Sequence, residues 1–243
     1  MAENIITHSI NAYFKNIKMI FFFSVPMLIA FMIPIFVRTP TFIAAGGLFL
    51  RTGSIPDISQ LEAGVMIISF LVSLFLIAFT ITNINIVIKA QRTATSVGRE
   101  VVKGITGYTL NVFWLMLIAE LILLVIQLIT FEYKVQEIVA PILSFIAMLP
   151  FFYAPAGLVI DDLRPWRAVE KSLSMVVSKL PYFLLWLLIA FVSLSLLDFV
   201  FLALLPHGMA QMAALVLNSL IVMPFLIVMQ TEIFISKYTI ITD

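Results

Sequence analysis

The chain has 243 residues, of which 63% are hydrophobic and 11% are charged. With a mean hydropathy of +1.16, it has too little polar surface to cover a soluble globule, so a lipid bilayer is its expected solvent. The net charge of +1 gives no reason to expect nucleic acid as a partner. Cysteine is absent, which excludes disulfides and thiolate metal sites, and no cofactor is expected.

Six apolar segments are each near or above the ~20 residues needed to cross a bilayer core. They are predicted as transmembrane helices at about 19–37, 64–88, 110–130, 138–160, 182–205 and 212–235. The fold class is therefore an all-α integral membrane bundle in a single domain, 1–243. The fourth span contains Pro141, Pro150 and Pro155, and it is predicted to be the least regular because proline lacks an amide hydrogen.

Two further stretches have the alternation of an amphipathic helix lying in the bilayer interface. The first, 1–18, carries Ile6, Ile10, Tyr13, Phe14 and Ile17 on one face. The second, 163–180, carries Trp166, Val169, Leu173, Val176, Val177 and Leu180 on one face, and Arg167, Glu170, Lys171, Ser174 and Ser178 on the other.

The connections between spans differ in length and charge. The longest, 38–63, is predicted to return to the headgroups or to cap the bundle, and 89–109 is predicted as a basic loop with a short interfacial helix. Alternate connections hold 11 and 3 of the 14 Lys and Arg residues. The positive-inside rule then predicts a plasma-membrane protein with both termini, 89–109 and 161–181 in the cytoplasm.

A weak internal repeat is visible around three serines. Ser9, Ser96 and Ser172 each precede a lysine by six or seven residues, in an amphipathic piece that leads into an outward-going span. Either three repeated helical hairpins produce this spacing, or it arises by chance in basic segments.

A family resemblance lies in the segment 155–172. Here Pro155-Ala156-Gly157-Leu158-Val159-Ile160-Asp161-Asp162-Leu163 is followed by Trp166-Arg167-Ala168-Val169-Glu170-Lys171-Ser172. The pattern resembles that of prokaryotic multispan proteins: the membrane domain that accompanies some glycerophosphodiester phosphodiesterases, and stand-alone YciC-like proteins. The resemblance implies a membrane bundle, sometimes attached to a catalytic domain. The 243 residues leave no room for that domain, so phosphodiesterase activity is not expected.

Four polar residues form the candidate intramembrane site. Glu120 is near mid-membrane, where a carboxylate costs ~2.5–3.5 kcal/mol on translocon scales, and Tyr153 lies at similar depth. Glu120 is interpreted either as a proton or substrate site or as a structural hydrogen-bond partner. Asp198 and Asn218 lie at matching depth across the hairpin of the last two spans, where helix-to-helix hydrogen bonding is favoured over a functional role.

Six basic residues are candidates for contact with anionic lipid or with a protein partner: Arg92, Arg99, Lys103, Arg164, Arg167 and Lys171. The positive-inside bias explains them equally well. Glu232 lies on the same side, near Lys237, and is expected to be paired or to reach the interface.

No metalloprotease, serine-hydrolase or P-loop motif occurs in the sequence, so an enzyme is not expected. The chain is interpreted as a non-enzymatic membrane module, alone or as a homo-oligomer, that supports a partner complex or passes a small or lipidic solute. The alternative is the permease subunit of an ATP-driven exporter whose ATPase is a separate chain.

Overall fold

The computed structural model describes residues 2–36, 59–93 and 97–236. Its helices are α1 (Ala2–Lys15), α2 (Ile17–Phe36), α3 (Gln60–Thr93), α4 (Val97–Glu132), α5 (Gln136–Phe152), α6 (Ala154–Ile160), α7 (Pro165–Ser178), α8 (Leu180–Leu204), α9 (His207–Leu217) and α10 (Met223–Ile235). A π-helical segment, Asn218–Val222, joins α9 to α10. Within these ranges there is no strand, and six helical segments are long and apolar enough to cross a membrane. The predicted all-α membrane bundle is confirmed. Most of the predicted connection 38–63 lies outside the described residues.

The predicted connection 89–109, a basic loop with a short interfacial helix, is helical over most of its length, so the loop part of the prediction is wrong. Helix α3 continues to Thr93 and α4 begins at Val97, and with 34 and 36 residues each is about 50 Å long at ~1.5 Å per residue. The last turns of α3 stay helical because the bundle buries them. Ala90 is 1% exposed, and Gln91 Oε1 accepts a hydrogen bond from Asn16 Nδ2 at 2.5 Å. Falling hydrophobicity was therefore a poor guide to the helix end.

The half of α3 from Leu74 to Ala90 is the core of the bundle. Every residue from Thr82 to Ile88 is buried, so this half is enclosed on all faces. The surrounding helices are α2, α4, α6 and α10. A helix buried on all sides is expected at the centre of a bundle, and here it is the second span that takes this place.

The two ends of the bundle differ. We call the end that holds Lys89, Arg92 and Asp161 the basic end, and the opposite end, with the turns at 133–135 and 205–206, the hairpin end. The buried residues of α8 are Phe183 and Ala190, and none occurs from 191 to 204. Helix α3 likewise has none from 60 to 73. The described helices are therefore packed closely toward the basic end and present apolar side chains to lipid toward the hairpin end.

The fourth span is broken at Tyr153, close to the prolines that predict its irregularity. Pro155 lies in the first turn of α6. Ser172 Oγ accepts a hydrogen bond from the Tyr153 N–H at 2.8 Å, and Gln230 Nε2 donates to the Phe152 carbonyl. Backbone groups within a bilayer must find partners inside the protein. Helices α7 and α10 thus supply hydrogen bonds at the break.

The amphipathic helix predicted at 163–180 is present as α7, but its apolar residues lie on two faces. The face against the bundle consists of Ala168, Val169, Ser172, Met175 and Val176. A second, exposed stripe consists of Trp166, Leu173, Val177 and, beyond the helix, Leu180. The single apolar face is therefore corrected: Val169 and Val176 pack against protein, and the exposed stripe is left for lipid.

The pair α1–α2 and the pair α7–α8 share a pattern of buried positions. In the first pair these are Ser9, Ala12, Tyr13, Ile20 and Met27; in the second they are Ser172, Met175, Val176, Phe183 and Ala190. The buried Ser24 and Ala30 of the first pair, and Ala168 and Val169 of the second, have no buried counterpart. The intervals between successive residues are the same in both sets, and each set begins at a serine of the predicted repeat. This match favours a true repeat for the first and third copies. Ser96 of the second copy lies outside the described residues.

Candidate functional site

A cavity of about 280 Å³ lies between α8 and the last span, toward the hairpin end. It is lined by Asp198, Leu202, Ala210, Gln211, Ala214, Leu215 and Asn218. Asp198, Leu202 and Gln211 are exposed, so the cavity communicates with the surroundings of the bundle. The two polar residues predicted at matching depth, Asp198 and Asn218, are thus brought to one cavity.

Asn218 is the first residue of the π-helical segment. The Met223 N–H donates to the Asn218 carbonyl, which is the wide turn of a π-helix, and Pro224 beyond it has no amide hydrogen with which to restore the α-helical bond to Leu220. The Asn218 Oδ1 atom is buried and has no hydrogen-bond partner in the described part of the chain. Short π-helical turns within α-helices frequently occur at functional sites.

Asp198 supplies the carboxylate of the cavity. It is exposed, and the ion pairs formed among the described residues do not include it. At ~1.5 Å per residue it lies about 9 Å from the end of α8, which is a depth near the boundary between headgroups and acyl chains. The cavity therefore combines a carboxylate and two amide side chains with an apolar wall, which suits a small polar or amphiphilic solute.

At the basic end, Lys89 connects α3 to the segment after α6. Its Nζ atom donates to the Val159 carbonyl at 2.6 Å and lies 3.2 Å from Asp162 Oδ2. The Lys89 side chain is only 17% exposed, so the contact lies mostly within the protein. A charge-assisted bond to a carbonyl at this distance holds the two elements together.

Two more ion pairs lie at the basic end. Arg92 lies 2.5 Å from Glu232 of α10, and Lys171 of α7 lies 2.7 Å from Asp161. Glu232 is paired, as expected, but with Arg92; Lys237 lies outside the described residues. Among the described residues, the cavity therefore lies toward one end of the bundle and these ion pairs lie at the other.

The six basic residues predicted to meet lipid or a partner are in three situations. Arg92 and Lys171 are in the ion pairs just described. Arg164 and Arg167 are exposed at the start of α7, so they are the best placed of the six for contact with anionic lipid or a partner. Arg99 and Lys103 belong to the first turns of α4, where the structure describes the helix but not their side chains.

Glu120 and Tyr153 are not joined. Glu120 lies in the middle of the α4 span, partly buried, and the hydrogen bonds within the described chain do not include its carboxyl group. The Tyr153 side chain is fully buried beside Phe234, and its hydroxyl has no partner among the described residues. Among the described residues, no hydrogen bond joins these two side chains, and a functional role for Glu120 stays a prediction.

Sequence reasoning missed three residues of these sites: Lys89, Gln230 and Gln211. Lys89 follows an apolar span on the side where Asp161 and Asp162 end another, so charge complementarity pointed to it. Gln211 and Asn218 are two helical turns apart and share a face, which was a usable signal. The sequence contains no signal for Gln230. Its partner is the Phe152 carbonyl, which is left without a helical hydrogen bond by the break at Tyr153, and only the structure locates that break.

Comparison of the chain with protein-family models, with curated proteins and with solved structures gave no match. Within the described ranges, no group of three or more His, Asp or Glu residues is placed to hold a metal ion.

Glu120→Leu is expected to leave the free energy of unfolding within about 0.5 kcal/mol of the parent, or to raise it. The change removes a carboxyl group from the middle of a membrane span, where it is unfavourable, and breaks no hydrogen bond to a described residue. Reversible unfolding in mixed micelles measures it, with Glu120→Gln as the matched polar control. A loss of ~2 kcal/mol, the upper range for interhelical hydrogen bonds in membranes, would reveal a partner.

Proposed function

We propose that this chain passes a small or lipidic solute across the membrane. The observation that carries the proposal is the contrast between the two ends of the bundle. Among the described residues, the cavity lined by Asp198 and Asn218 lies toward the hairpin end, and ion pairs of Lys89 and Arg92 lie at the basic end. A carrier with its site exposed to one side would have this arrangement, and transport would require the basic end to open.

We further propose that the basic end faces the cytoplasm of a plasma membrane, with both termini on that side. The distribution of Lys and Arg among the connections supports this orientation. Because the chain has no cysteine, single cysteines report on it cleanly. Ser174→Cys is expected to be shielded from an impermeant thiol reagent in intact cells, and Gly208→Cys is expected to react. The reverse pattern would contradict the orientation.

A crosslink across the basic end tests transport. Asn16 Nδ2 and Gln91 Oε1 are 2.5 Å apart, so the cysteines of Asn16→Cys/Gln91→Cys are within reach of a short, reducible bifunctional reagent. In proteoliposomes, flux of acyl-labelled phospholipids and of radiolabelled ethanolamine is expected to stop on crosslinking and to return on reduction. Each single variant, treated identically, is the control. Flux that survives crosslinking would contradict a carrier that opens at the basic end.

The exporter alternative and the support of a partner complex predict different results. A permease subunit would copurify with a nucleotide-binding chain and stimulate its ATPase activity, and a supporting module would copurify with its partner and show no flux. Exposed Arg164 and Arg167 are the residues we propose for contact with anionic lipid or such a partner. The resemblance to YciC-like membrane proteins is compatible with each of these roles.

A further inference from the structure

An exposed apolar stripe runs along each of the helix pairs α1–α2 and α7–α8. The α1–α2 stripe consists of Ile10, Phe14, Ile17, Phe21, Val25 and Ile29. The α7–α8 stripe consists of Leu173, Val177, Leu180, Leu184, Leu188 and Val192. The intervals between successive members are the same in both stripes and are those of one helical face. Both stripes also keep the register of the buried positions that the two pairs share, so the two pairs present equivalent surfaces to their surroundings.

The membrane spans identify what covers these stripes. Half of each stripe, from Phe21 to Ile29 and from Leu184 to Val192, lies on a helix that is long and apolar enough to cross a membrane, where exposed apolar side chains face acyl chains. The other half lies on α1 or α7 and at the start of the span. A phospholipid reaches both halves, whereas a soluble protein could reach only the interfacial half. The stripes therefore favour lipid as the occupant.

The charges beside the stripes select the headgroup. At the basic end, three described carboxylates are already in ion pairs. Four exposed cations are outside those pairs: Lys15, Lys18, Arg164 and Arg167. Glu170 is the only exposed carboxylate outside them in the part of this end that the structure describes. The excess of positive charge next to an apolar stripe suits an anionic headgroup, because apolar burial and electrostatic attraction then act together.

We infer that α1 and α7 bind anionic phospholipid in the leaflet at the basic end. The acyl chains lie against the two stripes, and the headgroups lie at Lys15 and Lys18 on one pair and at Arg164 and Arg167 on the other. This inference rests on the contact proposed above for Arg164 and Arg167, selects lipid over a protein partner and extends the contact to α1. Its test measures lipid contact without flux, so it can fail while the transport proposal stands.

Trp166 is a reporter within this surface, because it is 72% exposed and directly precedes Arg167. Its fluorescence is the difference between the full-length chain and Trp166→Phe. Two nanodisc preparations contain phosphatidylcholine with a minor share of phosphatidylglycerol. Bromine is on the acyl chains of the phosphatidylglycerol in the first, and on those of an equal amount of phosphatidylcholine in the second. Arg164, Arg167 and Glu170 leave one net positive charge, so brominated phosphatidylglycerol is expected to quench Trp166 about fivefold more strongly.

Arg164→Gln/Arg167→Gln is expected to remove this excess quenching, and the exposed Lys134→Gln at the hairpin end is the control that retains it. A raised salt concentration is expected to weaken the excess. Equal quenching by the two lipids in the parent, the result expected if the arginines contact a protein instead, would overturn the inference. An excess that survives the loss of both arginines would overturn it as well.

The α1 surface is tested in the same nanodiscs. Phe14→Trp, placed in the Trp166→Phe background, is expected to show the same preference for brominated phosphatidylglycerol, and Lys15→Gln/Lys18→Gln is expected to abolish it. Equal quenching of this tryptophan by the two lipids would overturn the inference for α1.

Discussion

Replacing Arg92 with methionine is expected to lower the free energy of unfolding by about 3–5 kcal/mol, the range for breaking one side of a buried ion pair. The reason lies in its partner. Glu232 is 6% exposed, whereas the Arg92 side chain is 32% exposed. Loss of the guanidinium therefore leaves a carboxylate buried between α3 and α10 without its counter-charge. Unfolding in mixed micelles, followed by helical circular dichroism, measures the change.

Glu232→Gln is expected to cost much less than Arg92→Met, because the amide still accepts a hydrogen bond and Arg92 can turn toward water. The double variant Arg92→Met/Glu232→Met should recover most of the loss, since apolar replacement of a whole buried pair is often neutral or stabilising. The exposed Arg167→Met is the control, within about 0.5 kcal/mol of the parent. Equal effects of Arg92→Met and Arg167→Met would show that the ion pair contributes no stability.

Ser172→Ala is expected to cost about 1–3 kcal/mol, the penalty for leaving a buried donor unsatisfied. The Ser172 hydroxyl oxygen accepts from the Tyr153 N–H at 2.8 Å and lies 3.4 Å from the Leu149 carbonyl. No water is expected at this depth to replace it. Ser174→Ala, at an exposed position of the same helix, is the control and is expected to be silent.

Hydrogen exchange gives a second measure of the Ser172 contact. In Ser172→Ala, the Tyr153 amide is expected to lose protection, while amides in the enclosed half of α3 retain theirs. An unchanged Tyr153 amide would mean that the break is stabilised by other contacts, with Gln230 as the first candidate.

The number and type of the helices could be predicted from the sequence because each span is a long run of apolar residues. Six apolar runs in an otherwise polar-poor chain allow few other folds. The ends of α3 and α4 did not follow, since Lys89, Gln91 and Arg92 look like loop residues until their partners on α1, α10 and the α6–α7 connection are known. A polar residue therefore indicates exposure to solvent only when no other part of the fold offers it a hydrogen-bond or ion-pair partner.

The candidate site was predictable in part for a similar reason. Helical geometry placed Asp198 and Asn218 at one depth, and each lies on the cavity. The same depth argument failed for Glu120 and Tyr153, because depth fixes one coordinate and leaves the rotation of each helix free. For Tyr153 the break between α5 and α6 made that rotation harder still to anticipate.

The contacts between the second span and the last one affect the order in which the bundle can assemble during synthesis. Helix α3 is synthesised early, yet Asn85 and Arg92 find Thr231 and Glu232 only on α10. A nascent chain that has emerged only as far as Pro206 therefore holds an amide and an arginine without these partners, in a span already released to the bilayer. The second span therefore completes its packing only after α10 has been synthesised.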